Sequence, residues 1–254
     1  MVTDWVPLLW LVGALVVLWL IQRQVHSHIE GLVLVLTASS EAAALAHFLL
    51  LLPGVVVHEL SHWLAARLLG VRVSPISIGP ERKRGREVRF GSVQIARADP
   101  LRESLIGLAP LVTGTALVLV IARWGFGLLP TLSGAVASWP ARLWACLRVP
   151  DAWLWVYLVF AVSNAMLPSA SDRRPWRTLA VYLALVLLVA YLLLGLPRGS
   201  EAWLAWGVRF LSYLAYAFSL TALLDVGVLV PLLLIEWLAG QLTGRRVQYG
   251  HRGE

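Results

Sequence analysis

Six stretches of the chain are apolar and long enough to cross the roughly 30 Å hydrocarbon core of a bilayer. They fall at about residues 5–21, 42–69, 105–124, 152–168, 178–196 and 203–240. They predict an all-α polytopic membrane protein of about six transmembrane helices, a single membrane-embedded domain over 1–254. No basic residue precedes the first stretch and no small-residue cleavage pattern closes it, so it reads as a retained span rather than a secretory signal. The last is too long for one upright helix. It holds either a tilted span preceded by an interfacial piece around Trp203, Trp206 and Arg209, or two crossings. Between the second and third stretches the period shortens to two. Val71, Val73, Ile76 and Ile78, then Val88, Phe90, Val93 and Ile95, alternate with polar residues or prolines, separated by Gly79-Pro80 and a basic stretch ending at Gly85. This predicts a small β-hairpin element at the cytoplasmic interface, offering an edge to an extended peptide. The plainer alternative is a basic loop that only orients the chain against anionic lipid.

Composition agrees with a membrane and narrows the class. The chain is 59% hydrophobic and 14% charged, where soluble domains run about 45–50% and about 25%. A soluble enzyme and a disordered chain are excluded, and so is a disulfide scaffold, because the only cysteine is Cys146. The net charge of +7 comes from arginines and the single Lys83 placed between apolar runs, a pattern of membrane orientation rather than nucleic-acid binding.

Basic residues cluster in three places: Arg72, Arg82, Lys83, Arg84, Arg86, Arg89, Arg97 and Arg102; then Arg173, Arg174 and Arg177; then Arg245, Arg246 and Arg252. All three share one side if both termini are cytoplasmic. The opposite loops hold Trp124, Trp139, Trp144, Trp153, Trp155, Trp203 and Trp206, as an aromatic belt at the outer face would. Short loops and the lack of a targeting extension suggest a prokaryotic plasma membrane.

The second stretch contains His58-Glu59-Leu60-Ser61-His62. On a helix the two histidines stand one turn apart on one face, the spacing for two nitrogen ligands to one zinc ion. Glu59 beside them is suited to take a proton from water at the metal and hand it to a leaving amine. Three ionisable groups within five residues of an apolar span need a partner or a function. A catalytic zinc usually has a third protein ligand. Asp172, past Pro168 at the cytoplasmic end of the fourth stretch, lies on the same side of the membrane, although it could instead pair with Arg173 or Arg174. Asp225, in Leu224-Asp225-Val226-Gly227, is the competing candidate, or else a helix-packing polar group.

The HExxH pattern in a membrane span, followed two spans later by Asn164 and then Asp172, resembles the site-2 protease family of intramembrane zinc metalloproteases. The stretch from Asp99-Pro100 to Ala109-Pro110 is similar to that family's approach to its third span. The resemblance covers about residues 42–175, with extra spans at about 178–240. It implies His58, His62 and Asp172 as ligands to Zn2+, Glu59 as general base, and Asn164 holding substrate or the reacting carbonyl. Its implied activity is hydrolysis of a peptide bond in or near a transmembrane segment of another membrane protein. The chain departs from the family at Asp172, which is flanked by Ser171 and Arg173 where relatives carry Leu-Asp-Gly. That departure motivates the alternative, a zinc-binding or client-helix-binding scaffold that does not cut.

The remaining histidines give weaker signals. His47 lies three turns before His58 on nearly the same face, lining a water path or sitting at the outer interface; His26 and His28 fall in the first outer loop, and Glu236 at an interface. The line of ionisable groups that an ion transporter would need is not visible.

Overall fold

The computed structural model describes residues 5–82, 88–127, 144–169, 171–194, 201–245 and 247. Lys83, Arg84 and Arg86 of the basic stretch, Trp139, Arg246 and Arg252 lie outside them.

Helix α1 spans Val6–Thr37, with Pro7 at its first turn, where a missing N–H costs nothing. It is about 48 Å long and runs well past the apolar stretch that announced it. His26 and His28 are therefore inside a helix, not in a loop. The physical reason is that Gln22, His26 and Glu30 recur every four residues and each meets a partner on a neighbouring helix, with Glu30 still exposed. The helix ends at Ala38, which takes the left-handed conformation (φ 56°) and returns its N–H to Leu34. Ser39 then caps α2 (Ser40–Leu68) by accepting from the Ala42 N–H. Helix α3 (Pro100–Val120) begins with Asp99 accepting from the Arg102 N–H and Glu103 reaching back to the Ala98 N–H. A π-helical turn, Ile121–Gly125, prolongs it. Then follow α4 (Ala152–Met166), α5 (Trp176–Leu194) and α6 (Glu201–Thr243).

Between α2 and α3 the backbone of β1 (Ser77–Arg82) pairs antiparallel with β2 (Val88–Ser92), with Pro80 opposite Phe90 and an irregularity between Ser77 and Pro80. Gly79-Pro80 is thus part of the paired stretch rather than its separator. Val73 bridges Ile95 beyond it.

Among the described residues four helices, α1, α2, α3 with its π turn, and α6, are long and apolar enough to cross a membrane. The sequence predicted six. Helix α4 is apolar but has only 15 residues. The last apolar stretch is one uninterrupted helix containing Pro231, not two crossings.

Contacts fix the helix directions. Helices α2 and α4 run the same way, Gly54 against Ala161 and His58 against Ala165. Helix α3 runs against both, with Ile106 at His62 and Gly114 at Met166. Helix α1 folds back on α2 through the two-residue turn. Helices α1 and α6 are parallel: Trp10 bonds Ser219, His28 meets Glu236, and Arg245 reaches the Val35 carbonyl. The start of α1 and the end of α6 therefore lie at opposite ends of the bundle. This does not fit both termini on one side, and it separates Arg245 from the other two basic clusters. Helices α1, α2, α3, α4 and α6 alternate without α5, whose bundle contacts are with α3.

Ser219 is 18 residues into α6 while Trp10 is 4 into α1. Helix α6 thus overhangs the start of α1 by roughly 20 Å. Trp206 is exposed on that overhang, at the opposite end from Trp124 and Trp153, so it is not part of one belt with them. The core lies where α4 is enclosed. Val159 and Val162 pack with Val118 of α3, Ile121 of the π turn and Ala217 of α6, Phe160 packs with Val25 of α1 and Leu51 of α2, and Ala161 lies against Gly54.

Candidate metal centre

Helix α2 brings His58 and His62 to one face, and neighbouring helices fix both rings. His58 Nδ1 lies 2.6 Å from the Ala165 carbonyl of α4, and His62 Nδ1 lies 2.9 Å from the Ile106 carbonyl of α3. A carbonyl only accepts, so each Nδ1 donates to it and each ring turns its Nε2 toward the other histidine. The two Nε2 atoms face each other at 3.1 Å. At that distance the two nitrogens share either a proton or a cation. In a tetrahedral zinc site, with bonds of about 2.0–2.1 Å, two ligand nitrogens stand about 3.3 Å apart. Backbone carbonyls behind ligating histidines are a usual means of fixing ring and tautomer.

Asp172 completes the group. Its Oδ1 is 3.5 Å from His62 Nε2, and one ligand atom from each of His58, His62 and Asp172 lies within 4.8 Å of the others. Its other oxygen, Oδ2, accepts from the Ser169 N–H at 2.8 Å and the Ser169 hydroxyl at 2.6 Å, which turns Oδ1 toward the histidines. The loop carrying Asp172 can approach because α3 has Gly107 there; a methyl group at Gly107 would come within 2.5 Å of the Asp172 carbonyl oxygen. Gly54 likewise lets α2 lie against the α4 backbone, where a methyl group would overlap the Ala161 carbonyl. These two glycines and Ser169 carry the geometry, and sequence reasoning passed over them. The hydroxyls of Ser169 and Ser171 just before the aspartate were the available signal.

The three side chains open on a cavity of about 560 Å³, also lined by Glu59, Glu103, Gly107 and Arg174. Val93, Ile95, Ala96 and Arg97, which follow β2, form another wall.

Asn164 is not in this cavity. Its side-chain N–H groups go to the Phe160 carbonyl at 2.9 Å and to Asp225 Oδ1 at 3.0 Å, and it is buried between α4 and α6. The expectation that it holds substrate at the metal is corrected. Ala165, the next residue, presents its carbonyl to His58, and one step of about 100° around the helix turns Asn164 to another face. Asp225, the competing ligand candidate, sits with Asn164 and not with the histidines. His47 pairs with Glu30, His26 lies edge-on to His47, and His28 meets Glu236.

No family model, curated protein or solved structure matches this chain.

Proposed function

We propose that the chain is a membrane-embedded zinc metallopeptidase that hydrolyses a peptide bond in or near a transmembrane segment of another protein. The observation that carries this reading is the pair of Nε2 atoms at 3.1 Å, each ring held by a carbonyl, with an Asp172 oxygen alongside. The donor set, two imidazoles and one carboxylate, suits zinc and leaves a position open.

Zinc held there would act as a Lewis acid on the scissile carbonyl and make water a stronger nucleophile. Glu59 lines the same cavity, takes the proton from the attacking water and delivers it to the leaving amine. Ser169 keeps Asp172 turned inward. Arg174 and Glu103 make the cavity polar, so water can occupy a place the lipid would otherwise exclude. With Arg72, Arg97, Arg102, Arg173, Arg174 and Arg177 at this end, the arginine rule opens the cavity to the cytoplasm, and the membrane is that of a prokaryotic cell. The paired strands β1 and β2, whose continuation lines the cavity, receive an extended stretch of the substrate by edge pairing.

A second reading, a metal-binding scaffold that does not cut, is favoured by Asn164 facing away from the cavity. The first test is zinc content after purification in mild detergent. About one zinc per chain is expected in wild type, lost in His58→Ala and Asp172→Ala and kept in Asp225→Ala. Wild type that stays empty when zinc is offered overturns both readings.

A further inference from the structure

A second set of buried polar groups lies across α4 from the metal centre. Asp225 is fully buried; its Oδ1 accepts from Asn164 at 3.0 Å and faces the Ser163 hydroxyl at 3.5 Å. Its Oδ2 is buried with no hydrogen-bond partner, and so is Asn164 Oδ1. Gln22 of α1 lies against the same carboxyl, and its amide holds the Ser163 carbonyl at 2.7 Å.

The polar groups continue outward. His26 touches Asn164 and lies edge-on to His47 with ring centroids 4.7 Å apart. His47 Nδ1 is 3.1 Å from Glu30 Oε1. The Nε2 atoms of both histidines are buried and unpartnered. Burial falls along this series, from Asp225 with none of its surface exposed to His47 at 19% and Glu30 at 55% for the side chains. Hydropathy ends the first span near residue 21, so His26 reads as a loop residue and not as a member of a buried series.

A buried carboxylate whose neighbours Asn164, Ser163 and Gln22 are all uncharged is costly and requires a neutralising partner. Orphaned buried polar atoms call for an occupant as well. Asp225 brings one formal negative charge to this group, so a single positive charge brings it to neutrality, whereas a divalent ion would leave an excess. Its ligand atoms are hard oxygens, unlike the imidazoles of the metal centre. We propose that Asp225, Asn164, Ser163 and Gln22 form an internal site for a monovalent cation, a proton or a sodium ion. Glu30, His47 and His26 form its water-bearing approach from the bundle end opposite the metal cavity. The site shares no residue with the metal centre and stands whether or not the chain cuts peptides.

The test uses the full chain in phosphatidylethanolamine/phosphatidylglycerol vesicles and the lipid-soluble reagent dicyclohexylcarbodiimide. A protonated carboxyl adds its oxygen to the central carbon of the reagent and its proton to a nitrogen, and an oxygen-to-nitrogen shift then leaves a stable acylurea that mass spectrometry locates. If a proton is the occupant, the Asp225 adduct rises several-fold as pH falls and is the same in sodium and choline chloride. If sodium is the occupant, sodium suppresses the adduct several-fold relative to choline at fixed pH. Labelling indifferent to pH and to sodium, or no adduct under any condition, overturns the proposal. As a second measurement, the melting temperature of wild type is compared in sodium and in choline across pH. The cation-dependent gain is expected to vanish in Asp225→Asn, or in Ser163→Ala should the first variant not fold. A gain that persists unchanged in the variant counts against the site. Zinc content on the same samples reports separately on the metallopeptidase reading.

Discussion

His58 and His62 each answer to a carbonyl on a different helix, Ala165 in α4 and Ile106 in α3, so their Nε2 atoms are aimed by the fold and not by α2 alone. Glu59 has a separate task. Glu59→Gln should keep its zinc while peptide cleavage falls by about 10²–10⁴-fold, the range for loss of a positioned acid–base; metal analysis beside a cleavage assay on a model membrane peptide checks it. Unchanged cleavage would sink the mechanism. The histidine pair was legible because one-turn spacing is a property of the helix itself. Asp172 was legible as a neighbour in depth, because the arginines mark which helix ends share a side. Asn164 was not. Helix α4 is apolar on nearly every face, with Val159, Phe160, Ala161 and Val162 all buried, so its pattern does not say which way any one residue turns.

At the scale of elements, the third ligand depends on a close approach between α3 and the loop after α4. Gly107→Ala should push the Asp172 loop away and weaken zinc binding by about 10–100-fold, the usual cost of disturbing what supports a ligand, although it changes no ligand. Zinc competition with a chromophoric chelator reads this directly. Affinity equal to wild type would mean the loop has room to adjust. The elements themselves were legible as apolar runs, but α1 was read short. Its second half carries Gln22, His26, His28 and Glu30, which hydropathy scores as the exit from the membrane. In the bundle these polar side chains find partners on α2, α4 and α6, and that pairing depends on the tertiary fold rather than on any local pattern.

For the whole molecule, the parallel pairing of α1 and α6 places the start of one and the end of the other at opposite ends of the bundle. Reporters fused before Val6 and after Val247, one active only inside the cell and one only outside, should therefore signal from opposite compartments. Signals from the same compartment would contradict the helix pairing. Crossing number was the least legible feature, since apolar length alone gave α5 the same standing as α2. The proposed ligands lie on α2 and on the loop after α4, each braced by α3, so a bound ion would tie together segments more than a hundred residues apart in the chain. Folding and metal supply would then be linked by mass action. Each tenfold rise in free zinc above its dissociation constant would deepen the native state by about 1.4 kcal/mol. A chelator should lower the melting temperature of wild type and leave that of Asp172→Ala where it was, making the cell's free zinc concentration a determinant of how long this protein survives in its membrane.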